Sequence, residues 1–166
     1  MLIEGKKIVD LSQEILYERR KIMETLTLAA ADRIADKALE KGKELKFLPL
    51  TVCILDAGGQ IKVLKRDDNS SLLRPEIALG KAWGVLGMGF GGREIAKRAA
   101  KVPQFYAALS DMSGGRMVPV PGGVLIRSGS GQIIGAVGVT GDTSENDETS
   151  AVAGIRAAGL TPDTGE

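Results

Sequence analysis

The 166-residue chain contains no histidine. Histidine is the commonest general base near neutral pH and the commonest nitrogen ligand to metals and haem, so its absence excludes Ser-His-Asp hydrolysis and imidazole-ligated centres. Cys53 is the one cysteine, which excludes an intramolecular disulfide and zinc sites built from paired thiolates, and points to a reducing compartment. Charge imbalance is also missing: 22 basic against 21 acidic side chains leave a formal charge of +1, too little for a field that would gather phosphate backbones or anionic lipid. Neither nucleic acid nor membrane is an expected partner. No stretch approaches about 18 consecutive apolar residues, and the opening MLIEGKKIVDLSQE is too charged for a signal peptide, so the expected location is cytoplasmic.

What remains is an ordinary globular composition, 43% hydrophobic and 26% charged, in a chain long enough for one self-sufficient core. Ile8, Leu11, Ile15 and Ile22 recur at helical spacing, so residues 1–25 read as an amphipathic helical extension. Thr25 or Thr27 is placed to cap a second helix through Leu28, Ile34 and Leu39 that ends near Gly42. From Pro49 the pattern turns to strands: LTVCILDAGGQIKVLKR is two aliphatic runs around an Ala-Gly-Gly turn, a hairpin, and GVLIRSGSGQIIGAVGVTG repeats that logic around Ser-Gly-Ser-Gly. Between the hairpins, Pro75 opens a helix through Ala82 and Leu86 that the glycines at 87, 89, 91 and 92 interrupt. A further helix begins near Arg93, with a break before Pro103, and runs to about Leu109. Ser144, with acids at 145, 147 and 148, marks the start of a last helix, and residues 161–166 read as a tail. Two hairpins among helices predict an α/β (α+β) domain over residues 26–160, with an antiparallel sheet and helices packed on it.

The strings VCILDAGGQIKVLKRDD, RPEIALGKAWGVLGMG, SGGRMVPVPGGVLIR and GQIIGAVGVTGDTSENDE occur in an order that resembles the haem-degrading-domain family, also described as GlcG/HbpS-like, from about Leu26 to Leu160. The resemblance implies a profilin-like fold with a central antiparallel sheet, assembly into tetramers or octamers, and haem as a ligand of some members. Haem contacts in those members include histidine, which this chain lacks, so the ligation does not transfer. Tyr106, Cys53, Met88, Met112 and Met117 are the other iron-ligand types in the domain, and each more commonly serves as a packing residue.

Several residues carry candidate chemistry. Lys81 is the only charged side chain from Ile77 through Gly92. Two arrangements are open: its methylenes cover the core while the ammonium reaches water, or it lines a pocket as the partner of a substrate carboxylate or as a base. Arg66 and Asp67 end the second strand and Arg116 precedes the third, so both arginines lie at sheet ends where a guanidinium fork suits a carboxylate; an Arg-Asp tie between the loops is the alternative. Pro121, Gly122 and Gly123 allow close backbone approach to a ligand or a neighbouring subunit, or simply make a turn. The Gly87–Gly92 G-x-G-x-x-G string follows a helix instead of a strand, so it is not a dinucleotide fingerprint, although Arg93 beside it stands where an anion is welcome. Asp142, Glu145, Asp147 and Glu148 read as helix-start acids in preference to a hard-cation site, and no metal is expected. The function expected is an oligomeric small-molecule-binding protein for a carboxylated or planar organic ligand, with Arg66, Asp67, Lys81, Arg116, Pro121, Gly122 and Gly123 around the site. The alternatives are an enzyme of small organic-acid or aromatic catabolism, with Lys81 or a carboxylate as base and Arg66 and Arg116 as clamp, and a structural accessory subunit.

Overall fold

Five strands form one antiparallel sheet in the order β2-β1-β4-β3-β5: β1 (Thr51–Asp56), β2 (Ile61–Arg66), β3 (Gly123–Arg127), β4 (Ile133–Thr140) and β5 (Thr161–Asp163). The computed structural model describes residues 24–166, so all but the end of the predicted 1–25 extension lies outside the described residues. Both hairpins fall where the glycine turns place them. In the first, the Asp56 carboxylate accepts the N–H groups of Gly58 and Gln60, which fixes the turn. The expected tail is instead the fifth strand: Thr161–Asp163 pairs with β3, and Pro162 is tolerated because this is an edge.

Alternation along the strands divides the core. Val52, Ile54, Val63, Val124, Ile126, Val137 and Val139 face α1 (Leu28–Glu44) and, with its Ile155, α5 (Ser144–Ala157), two helices that also pack on each other. Thr27 caps α1, and Thr143 rather than Ser144 caps α5, its hydroxyl accepting the Asn146 N–H. Cys53, Leu55, Leu125 and Ala136 face the other way, onto α2 (Arg74–Met88), which has Pro75 in its first turn and passes Gly87 unbroken to a left-handed cap at Gly89. Its close seat depends on Gly138 of β4, where a Cβ would lie 1.9 Å from the Ala78 carbonyl oxygen.

Beyond α2 lie α3 (Gly92–Lys101) and α4 (Pro103–Met112), broken at Val102 as the proline requires. Tyr106 anchors α4 to the α2-side core. No helix among the described residues is long and apolar enough to cross a membrane.

Candidate functional site

Thr51 pairs with Arg66 on one side and Thr140 on the other, so the end of β2, the start of β1 and the end of β4 share one end of the sheet. Arg66, Asp67 and the Lys81–Gly122 region lie towards this end, whereas Arg116 lies over Trp83, towards the β1–β2 turn at the other end; the candidates form two layers.

The inner layer is a buried ion pair. Lys81 of α2 and Asp147 of α5 meet at 2.8 Å with side chains only 3% and 1% exposed, and the ammonium also donates to the Val139 carbonyl at 3.0 Å. The second Asp147 oxygen accepts the Asp142 N–H. Gly122, at φ +100°, lies directly over the pair: a Cβ there would stand 2.8 Å from Lys81 Nζ and 3.0 Å from Asp147 Cβ. Burial pushes the Asp147 carboxyl above its ordinary range and the Lys81 ammonium below its own, while their mutual attraction opposes both shifts. Of the two arrangements open for Lys81 neither is found: its charge does not reach water and it is no free pocket amine, because the helix that carries it is pressed against the sheet and the Asp147 carboxylate and the Val139 carbonyl take its ammonium. The pair joins α2 to α5 across the end of β4 beneath the Gly122 backbone.

The outer layer is a partly open sheet face. Among the described residues, helix α2 packs on β4, β1 and β3, and no other element covers the β2 side of the same face to a comparable extent. Register puts Leu64 opposite Cys53 and Ile61 opposite Leu55, so these two aliphatic side chains, both about half exposed, continue the apolar floor outward from α2. Arg66 lies two residues beyond Leu64 on that face and is exposed. Trp83 extends from α2 to the β1–β2 turn, where a Cβ at Gly59 would stand 3.5 Å from its indole nitrogen. Above it, the exposed Arg116 places its guanidinium carbon 4.9 Å from the Trp83 ring centroid and donates from Nε to the Ser113 carbonyl. The result is an apolar shelf, walled by α2 and flanked by two arginines.

The other candidates separate from this shelf. Asp67 accepts the Leu50 N–H and pairs with Lys43 at 3.1 Å, so the imagined Arg-Asp tie between loops is not formed. Pro121 and Gly123 flank Gly122, and Gly123 begins β3 hard against the Lys81 carbonyl. Arg93 is occupied by Glu148 at 2.6 Å and Glu166 at 2.7 Å, which overturns its reading as a waiting anion contact. Asp142 accepts the N–H groups of Leu48 and Thr143, and these bonds hold its carboxyl below its ordinary range. Trp83 was not among the sequence candidates, although the structure sets it between Arg116 and the β1–β2 turn. Its signal was its position two residues after Lys81 on one helix, which turns it to a different side of α2.

The donors among the described residues do not fit an iron-ligated haem. Cys53 and Tyr106 are core residues, the Cys53 thiol is pushed up to about 12 by burial, and the Met117 sulfur is packed against α2 at Gly84. Met112, by contrast, stands exposed on α4, away from this shelf's floor.

The sheet order, the close α2 seat and the Gly122–Gly123 crossing extend over most of the described chain, and comparison with known proteins covers the same span. The chain is 30% identical over 123 residues to a 15.0 kDa protein of the dhaT-dhaS intergenic region of Citrobacter freundii, covering 74% of this chain and 84% of that one. It is 26% identical to the protein in the crystal structure of a PduOC:heme complex, covering 86% and 99% of the two chains with a TM-score of 0.73. Against crystalline HbpS the identity is 28%, the coverage 80% and 89%, and the TM-score 0.70. Residues 26–156 match the family described as haem degrading protein HbpS-like, and the chain, with its shared sheet and its histidine-free donor set, belongs to that family.

Proposed function

We propose that this chain is an oligomeric small-molecule-binding protein that takes a planar organic molecule bearing a carboxylate on the shelf between α2 and β2. The observation that carries this reading is the Arg116 guanidinium stacked on Trp83 at the rim of an exposed aliphatic floor. A flat apolar ligand gains by covering Leu64 and Ile61, and its carboxylate gains a bidentate partner in Arg116 or Arg66. Lys81, Gly122 and Gly123 serve this site from below, as the joint that fixes α2 and the loop bearing Arg116. Haem falls in the same chemical class, and a relative has been crystallised with it. In this chain a porphyrin is held by its face and its carboxylates. The tetramer or octamer and the cytoplasmic location implied by the resemblance and the lone buried thiol belong to the same proposal.

The enzymatic alternative retains the arginine clamp but requires a free base. Lys81 is engaged by Asp147 and by the Val139 carbonyl, so the binding reading is the better supported.

Native mass spectrometry of protein purified without added ligand, followed by calorimetric titration with protoporphyrin IX and with naphthoate, tests the proposal. Saturable binding of either compound, weakened about tenfold by Arg116→Ala, is the expected outcome; tenfold corresponds to about 1.4 kcal/mol, within the range for a hydrogen bond to a charged group. Absence of binding by both compounds, together with a ligand-free native mass, would reject it.

A further inference from the structure

The apolar run Ala82–Phe90 is largely absorbed into the core: Ala82 and Val85 are buried, and Trp83, Leu86, Met88 and Phe90 pack against the same cluster. Apart from the shelf and scattered leucines, exposed apolar side chains also line one helix, α4. That helix is held by Tyr106 and Leu109, while Phe105 is 54% and Met112 79% exposed, with Val102 half exposed at its start. Phe105, Ala108 and Met112 are three and four residues apart and so form one stripe down the outer face. A ten-residue helix containing a single charge, Asp111, is a poor helix to leave in water.

We infer that α4 is the contact between two copies of this chain, packed antiparallel about a two-fold axis that passes between Ala108 and Leu109. The inference rests on the reading of the protein as a homo-oligomer and names the surface that makes it one. The stripe is self-complementary about that axis, because Phe105 then meets Met112 of the second copy at both ends while alanines occupy the centre, where the backbones must approach most closely. Ring and thioether make a favourable pair. A groove of about 570 Å³ lined by Ala107, Ala108, Ser110, Asp111 and Gly115 runs along the same helix and can receive a bulky side chain from the other copy.

Charge supports the same geometry. Lys101 ends α3 next to the N-terminal end of α4, with Lys97 one turn before it and 3.9 Å from Glu94, and Asp111 lies at the C-terminal end of α4. Antiparallel packing brings the acid of each copy towards the lysines of the other and opposes the helix dipoles, whereas parallel packing would set like charges together. The Arg116 loop follows α4 directly, so the contact also steadies the rim of the proposed shelf.

Two variants and one crosslink test it in the full chain, by light scattering at micromolar concentration with circular dichroism to confirm folding. Wild type should exceed the monomer mass of 17.5 kDa at least twofold, and Phe105→Glu and Met112→Glu should each halve the observed mass. Ala108→Cys should form a disulfide-linked dimer on mild oxidation, because Cys53 is buried and the new thiols face each other across the axis; Glu40→Cys on the outside of α1 should not. A monomeric wild type would overturn the oligomer reading and this inference together. An oligomeric wild type whose mass is unchanged by both glutamates, with no Ala108→Cys crosslink, would overturn the inference alone and leave residues 1–23 or another protein as the cover of α4.

Discussion

The two faces of the sheet are treated differently. On one, α1 and α5 lie side by side and cover the strands from β2 to β3, with Ile34, Ala38, Ala151 and Ile155 fully buried. On the other, α2 is the one helix among the described residues that lies close to the sheet, and the outer strand β2 keeps Ile61 and Leu64 half exposed. The first face holds the molecule together: its apolar side chains are sealed, and Lys65 at its edge is tied to Asp32 and Asp36 of α1. The second is fixed where α2 and the Lys81–Asp147 joint hold it, and the remainder is the surface on which we propose that ligand binds. Neighbouring residues of one strand thus belong to different tasks: Val63 to the sealed face, Leu64 to the open one.

The largest effect should come from the joint between these regions. Lys81→Met removes the charge that compensates a fully buried Asp147 and should cost about 3–5 kcal/mol in denaturant melts, the range for breaking a buried pair from one side. Asp147→Asn in the same chain should recover part of that loss, since no uncompensated carboxylate is then left; a loss below about 1 kcal/mol for Lys81→Met would show that the pair is not the joint described. Next comes the strand that serves both faces. Val63→Ala should cost about 2 kcal/mol, while Leu64→Ala, though it removes more carbon, should cost less than half of that because its side chain is already half in water. Equal losses would erase the distinction between sealed and open faces.

The fold was largely legible because its signals are local. Thr27 caps α1, glycine turns mark both hairpins, and Pro75 and Pro103 open α2 and α4. The site was less so. Lys81 and Asp147 are 66 residues apart, and neither carries a mark of the other: an acid in the first turn of a helix is already explained by the dipole, and a lone lysine on an apolar helix suits either snorkelling or pairing. β5 was missed because three residues with a proline resemble a tail until β3 lies beside them. The open shelf was also invisible to sequence, since Leu64 alternates like any strand residue and only the path of α2 leaves it bare.

A smaller effect concerns Arg116. Arg116→Lys should weaken a carboxylated ligand by about 1 kcal/mol, roughly fivefold, with the melting curve unchanged, because a point ammonium reproduces neither the fork nor the stack on Trp83. The smallest near neutral pH, because it acts only in the alkaline range, is a pH slope. The Cys53 thiol titrates near 9.0 in the unfolded chain and is pushed up to about 12 when folded. Between those values the native state holds the extra proton, so this residue's contribution to stability is full below pH 9 and declines as pH rises towards 12. Cys53→Val should flatten that part of the alkaline stability profile, and the wild-type thiol should react with iodoacetamide at pH 8 only as fast as the protein opens.

Trp83 is the sole tryptophan and lies at the rim of the proposed shelf, so its fluorescence reports on that surface alone. Titration with metal-free protoporphyrin IX should quench it saturably, with the midpoint moved about tenfold upward by Leu64→Asp and by Arg116→Ala, each of which leaves the sealed face intact. Quenching that never saturates, or a midpoint that neither variant moves, would contradict the assignment of the open half of the sheet as the binding surface.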